Sequence, residues 1–435
     1  MLRTWLPALA IVCVAWTASA TEPLSRPGID APELAHLGTH TVGLRSITFI
    51  DKTQPPAPAR IKGGKALTDR ILEVDIWYPA IPRRSAKAVS YADTLPGEPP
   101  IGPVAFTVQG LAVRNAVADG GRYPLVIVSH GYSGTPAAMT WLSENLASKG
   151  YVVAAIHHRD PDISDLANFG QPALRRPLDI SFVAKTLREQ ARAGILPGVD
   201  PDRVAVIGYS MGGYGALTVA GATLNPTGRP AQSVSNGDLK PYLRGGSKVD
   251  SLTIPGLKAV AVIAPAGGGQ GFSAWGAEGL ADLKTPLMVI AGDRDRTVGY
   301  ADGVRTVFEQ TVHADRYLLV FQNGGHNIGM NAAPAEMRSR LWDFDWFEDP
   351  VWSKARTAGI QQHMITAFLD LWVKGDETRT AYLNVDVPIS NDTKWPTGGP
   401  LGYAAISPGG HGATWKGFPR NHALGLELYH AVAVR

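Results

Sequence analysis

The chain of 435 residues contains a single cysteine, Cys13. It falls in a leading segment that reads as removable, so the remaining chain is expected to carry no thiol. That excludes disulfides, a cysteine nucleophile and a cysteine-ligated metal. Net charge is only +3 and no basic run occurs, so nothing favours a nucleic-acid partner. Long apolar runs are scarce too. The N-terminal stretch from Leu6 to Trp16 is short for a membrane span and broken by Pro7, which argues against a stable membrane anchor. No internal repeat is visible.

The leader has Arg3 ahead of its apolar stretch and Ala18-Ser19-Ala20 behind it, the three parts of a cleavable signal peptide over residues 1–20. Cys13 follows Val12 inside the apolar stretch, which is not a lipoprotein context. Export to the periplasm or the medium is expected, with a mature protein starting near Thr21. Hydrophobic residues make up 45% of the chain, enough for a large core, and residues 21–435 are expected to form one domain.

Strand-like and helical stretches then alternate. Segments 41–50 and 71–78 read as antiparallel edge strands, and 79–123 as an irregular excursion rich in proline and glycine. Strands at 124–129, 151–156, 203–207, 258–264, 286–291 and 316–321 alternate with helices at 136–148, 178–193, 213–222 and 300–311. Such alternation predicts an α/β architecture, a mostly parallel sheet with helices on both faces. Insertions at about 224–256 and 266–279 are placed to act as a lid or as plain surface loops, and about 376–435 forms a C-terminal extension. The aromatic segment 331–353 is read as buried packing or as a cleft wall.

The chemistry is concentrated at Gly208-Tyr209-Ser210-Met211-Gly212, which follows the apolar run Val204–Ile207. A strand entering G-x-S-x-G and leaving as a helix lifts the serine hydroxyl above the C-terminal end of a parallel sheet. A serine needs a base, and the base an orienting acid; in this type of sheet the acid and then the histidine follow in chain order. Asp293 and Asp295 both leave the strand 286–291, and Asp295 is preferred because Gly292-x-x-Asp295-x-x-Val298 is the familiar spacing of this loop. His326 leaves the next strand on Gly324-Gly325 and is the expected base. His313 lies at the wrong end of its strand, His363 within a helical pattern, and His411, His422 and His430 in a tail without strand context. The backbone N–H groups of Met211 and of Tyr132, in Ser129-His130-Gly131-Tyr132-Ser133-Gly134, would form the oxyanion hole. Tyr132, Tyr209 and Trp275 are candidate pocket walls. His157-His158-Arg159-Asp160 suggests a metal at first sight, but adjacent histidines on an extended chain face opposite ways. It is better read as a contributor to the cleft, and neither metal nor cofactor is expected.

With these residues the chain resembles the α/β-hydrolase superfamily. More narrowly, it resembles the bacterial group related to platelet-activating-factor acetylhydrolases and predicted dienelactone hydrolases. The carriers are Val74–Pro79, Ser129–Gly134, Leu146–Val153, Arg176–Asp179, the serine turn and Thr414–Phe418. Dienelactone hydrolases use a cysteine where this chain has Ser210, whereas Met211 with Tyr132 is similar to cutinase-type polyester hydrolases. The resemblance implies a serine hydrolase acting through an acyl-enzyme on a small-molecule or lipid-like ester, with short-chain or acetyl esters expected first. The alternatives are a lipase or cutinase-like polyester hydrolase, and an amidase or acyltransferase on the same triad.

Overall fold

The computed structural model describes residues 23–55, 69–82, 86–165, 168–196, 198–393, 415–419 and 422–434. The expected signal peptide, and Thr414 at the start of the C-terminal motif, lie outside them.

The strands are β1 (Thr41–Asp51), β2 (Arg70–Ala80), β3 (Ser90–Leu95), β4 (Val104–Gln109), β5 (Val113–Arg114), β6 (Tyr123–Ser129), β7 (Val152–His157), β8 (Val199–Tyr209), β9 (Ala259–Ile263), β10 (Leu287–Gly292), β11 (Arg316–Phe321) and β12 (Leu426–Ala431). Ten of them form one sheet in the order β12-β11-β10-β9-β8-β6-β7-β2-β1-β5. The run from β7 through β11 is parallel, β2 joins it antiparallel to β7, and β1 lies antiparallel to β2. This is the α/β-hydrolase fold.

The central strands are almost wholly apolar because both faces are covered. Side chains alternate, so Val126 and Val128 of β6 enter one core with Trp141 and Phe368. Leu125 and Ile127 enter the other with Ile180 and Leu217. Helix α1 (Thr140–Ser148) and the helix Lys354–Trp372 serve the first face; α2 (Gln171–Arg192) and α3 (Met211–Val219) serve the second.

Three sequence expectations change. The excursion 79–123 contains the hairpin β3–β4 and the short β5. The tail read as lacking strand context supplies β12, antiparallel to β11. Helix α2 starts at Gln171, not at 178, with Pro177 inside it. A proline there has no N–H for the carbonyl four residues back, and that carbonyl, of Ala173, instead accepts the Tyr214 hydroxyl at 2.8 Å. The neighbouring helix α3 therefore satisfies the group that would otherwise end α2, and Arg175 and Arg176 become helical.

Candidate active site

β8 delivers Ser210 with φ 52° and ψ −115°, a conformation L-residues avoid. It persists because its surroundings fix it: Ser210 N–H donates to Ile263 O at 2.9 Å, and its carbonyl accepts from Tyr214 N–H and Ala266 N–H at 3.1 and 3.0 Å. The flanking glycines are required by contact. A Cβ on Gly208 would sit 2.2 Å from Gly212 O, and one on Gly212 would sit 2.0 Å from Ser129 O.

The loops after β10 and β11 bring the other two groups to this serine. His326 Nε2 lies 3.0 Å from Ser210 Oγ, and His326 Nδ1 lies 2.7 Å from Asp295 Oδ2. The set is satisfied when Nδ1–H donates to the carboxylate and Nε2 accepts from the serine hydroxyl. The second oxygen of Asp295 accepts from the N–H groups of Thr297 and Val298 at 2.8 and 3.1 Å. Its side chain is fully buried while that of His326 keeps 13% exposure, so the acid is screened from water and the imidazole still reaches it. Asp293 faces away, accepting the Asn323 N–H at 2.6 Å.

Met211 opens α3, where the first N–H groups have no intrahelical acceptor and the helix end is positive. The loop carrying Tyr132 passes close above the serine: an ideal Cβ on Gly131 would lie 3.4 Å from Ser210 Cβ. The arrangement can therefore activate a hydroxyl and bind negative charge beside it.

The three expected pocket walls separate. Tyr132 is half-buried, its ring 4.9 Å from the exposed ring of Phe169. Tyr209 lies beneath His326, ring centroids 5.3 Å apart, with its hydroxyl 3.3 Å from His326 O. Burial holds that phenol above its ordinary range, so it stays a neutral donor. Trp275 is a correction: it is not in the cleft but 2% exposed in the core. Its ring stacks on Tyr214 at 5.5 Å and its N–H donates to Thr218 Oγ1 at 3.1 Å, so one interior position satisfies both the large apolar ring and its polar atom. The insertion at about 224–256 also divides. Its segment Arg229–Ser233 abuts Gly170 beside Phe169, whereas Ile254 packs at the far end of α3, donating its N–H to Val219 O.

Sequence reasoning passed over the supports of the histidine loop. Asp349 accepts the Gly325 N–H at 2.6 Å, and Lys354 Nζ donates to Asn327 O at 2.6 Å. Burial pulls the Lys354 ammonium down to about 7, against the pull of Glu348 and Asp349. A lysine opening an apolar helix after an aspartate-rich loop was the one available signal. Of the His157–Asp160 group, His157 contacts Asp75 at 3.0 Å, while His158 turns to the opposite side and contacts Ser129 and Asp179. Among the described residues no group of three His, Cys, Asp or Glu is arranged to hold a metal ion. No helix among them is long and apolar enough to cross a membrane.

Residues 110–231 match a family described as PET hydrolase-like, a range that includes Tyr132 and Ser210. Similar relatives are cutinase 1 of Thermobifida cellulosilytica and a cutinase of Thermobifida fusca (strain YX), each 32% identical over 102 residues. These cover 23% of this chain and 36% and 31% of the relatives. Cutinase est1 of Thermobifida alba is 31% identical over a stretch of the same length. The chain thus spans about a third of the length of the curated relatives it matches. The sheet order, the strained serine between its glycines, and these local likenesses together place the chain in the α/β-hydrolase superfamily.

Proposed function

We propose that this chain is a serine carboxylic-ester hydrolase with a preference for cutinase-like, extended or polymeric esters. The observation that carries the reading is the chain of contacts from Asp295 through His326 to Ser210 at a strained turn. Ser210 Oγ attacks the ester carbonyl while His326 Nε2 takes its proton, and Asp295 stabilises the resulting imidazolium. The N–H groups of Met211 and Tyr132 hold the tetrahedral oxyanion. His326 then protonates the leaving alcohol. It next takes a proton from water, whose oxygen attacks the acyl-enzyme, and returns that proton to Ser210 Oγ as the acyl–oxygen bond breaks and the acid leaves. No cofactor enters these steps.

The likeness to cutinases and to the PET hydrolase-like family supports extended esters over short acetyl esters, the expectation drawn from the narrower resemblance. The same reading takes residues 21–435 as one exported domain, left when the signal peptide 1–20 is removed; the mass of the exported protein tests that directly.

The functional test is hydrolysis of p-nitrophenyl esters from acetate to palmitate and of a polyester film, mature protein against Ser210→Ala. The expected result is turnover of long acyl chains and release of soluble acid from the film, both lost in the variant. Turnover confined to acetate would restore the short-chain reading. Equal background rates for both proteins would overturn the esterase assignment.

A further inference from the structure

Behind the loop that crosses Ser210 lies a buried polar network that the reaction steps do not use. Arg176 of α2 is 0% exposed. Its Nη2 donates to Gly131 O at 2.8 Å and its Nη1 to His130 O, so one guanidinium grips consecutive carbonyls of the loop. The same group pairs with Asp160, through Nη2 and through Nε at 3.2 Å. Asp160 in turn accepts the Ser133 N–H at 2.9 Å. Gly131 O takes two further donors, His130 Nδ1 at 2.7 Å and Gly134 N–H at 3.1 Å.

The network continues inward. Arg176 Nη1 donates to Ser129 Oγ at 3.2 Å, and Ser129 Oγ lies 2.8 Å from His158 Nε2. His158 Nδ1 lies 2.9 Å from Asp179, which Arg70 Nη2 holds at 2.6 Å. Burial, then the Arg176 cation, keep His130 and His158 neutral, His158 near 4. Each histidine therefore has one donating and one accepting nitrogen, and the donor directions are fixed throughout.

A trans peptide is planar, so the carbonyl of Gly131 and the N–H of Tyr132 point in opposite directions. Three donors hold that carbonyl on the buried side, so the Tyr132 N–H must face the other way. A cation on the carbonyl also polarises the peptide and strengthens the N–H as a donor. An ion pair with side chains 0% and 1% exposed is a weak source of stability, because removing both charges from water offsets their attraction. What it supplies here is direction.

We infer that Arg176, braced by Asp160, is a positioning residue that aims and polarises the Tyr132 N–H toward the oxyanion. The inference rests on the proposed role of that N–H. The test compares Arg176→Lys, which keeps charge but loses the fork, with the double variant Arg176→Gln/Asp160→Asn, which leaves no unpaired buried charge. Each is assayed for kcat, KM and the Ki of an alkylboronic acid, whose tetrahedral serine adduct places an oxygen in the hole. Misaiming one donor should lower kcat by about 10–100-fold with KM within about threefold, short of the loss seen on deleting a donor. The boronate Ki should weaken by the same factor as kcat/KM, with near-UV circular dichroism unchanged. Should Arg176→Lys not fold, the double variant carries the test. A folded variant with kcat within about twofold of wild type, or one that loses kcat without weaker boronate binding, overturns the inference. A wild type that the boronate does not inhibit, or a Ser210→Ala that keeps its rate, overturns the parent reading and this inference with it.

Discussion

Two aspartates leave β10 within three residues, and their surroundings give them different work. Asp295 is sealed against His326, whereas Asp293 caps the turn at Asn323, a residue with φ 60°. Asp295→Asn should hold the wrong imidazole tautomer and lower kcat by roughly 10⁴-fold. Asp293→Asn should leave kcat within a few-fold and lower the melting temperature slightly. Initial rates on the fastest p-nitrophenyl ester separate the two, and equal losses in both variants would refute the assignment. That Ser210, Asp295 and His326 would come together was legible, because each sits in a short motif at the C-terminal end of a strand, where the fold directs loops to one edge. Arg176 and Lys354 were not, because their partners are contributed by distant elements and only packing reveals them. Trp275 misled for a related reason: a tryptophan in a glycine-rich loop does not show which way its ring turns.

Among the elements, the alternating parallel core and the antiparallel strands β1 and β2 were readable from their apolar runs, and β12 at the opposite edge was not. β12 reads Leu-Glu-Leu-Tyr-His-Ala, a weak half-buried alternation whose partner β11 precedes it by more than a hundred residues. Yet it buries Leu426 and Leu428, and His430 stacks on Tyr317 with ring centroids 4.2 Å apart. β11 is the strand that leads to His326. Deleting residues 426–435 would expose its edge and remove two buried leucines, each contributing about 1.5–3 kcal/mol. The truncated protein should unfold at clearly lower urea and scatter light on warming. An unchanged urea midpoint would mean that β12 is a passive appendage.

The molecule as a whole keeps several bases in its interior, and this sets how it responds to acid. His158 is held near 4 and His363 near 3 by burial, with His130 also well below the ordinary value of 6.5. Between the folded and ordinary values the unfolded chain binds protons that the fold refuses. Stability therefore rises with pH across that window and falls on acidification from about 6.5 toward 4. Each such histidine contributes up to about 1.4 kcal/mol per pH unit. Lys149 and Lys354, pulled down to about 7 by burial, give the same sign of slope between 7 and their ordinary 10.5. His363 offers a clean test because its contacts are with Leu34, Tyr382 and Phe418 and not with the catalytic groups, and its Nδ1 accepts the Leu34 N–H at 3.0 Å. His363→Gln keeps an acceptor for that N–H but has no proton to refuse. Urea unfolding at a series of pH values should show a shallower loss of stability below about 6.5 in the variant than in the wild type, with equal ester turnover near neutrality. Parallel slopes in the two proteins would mean that His363 is protonated in the fold and that acid acts elsewhere.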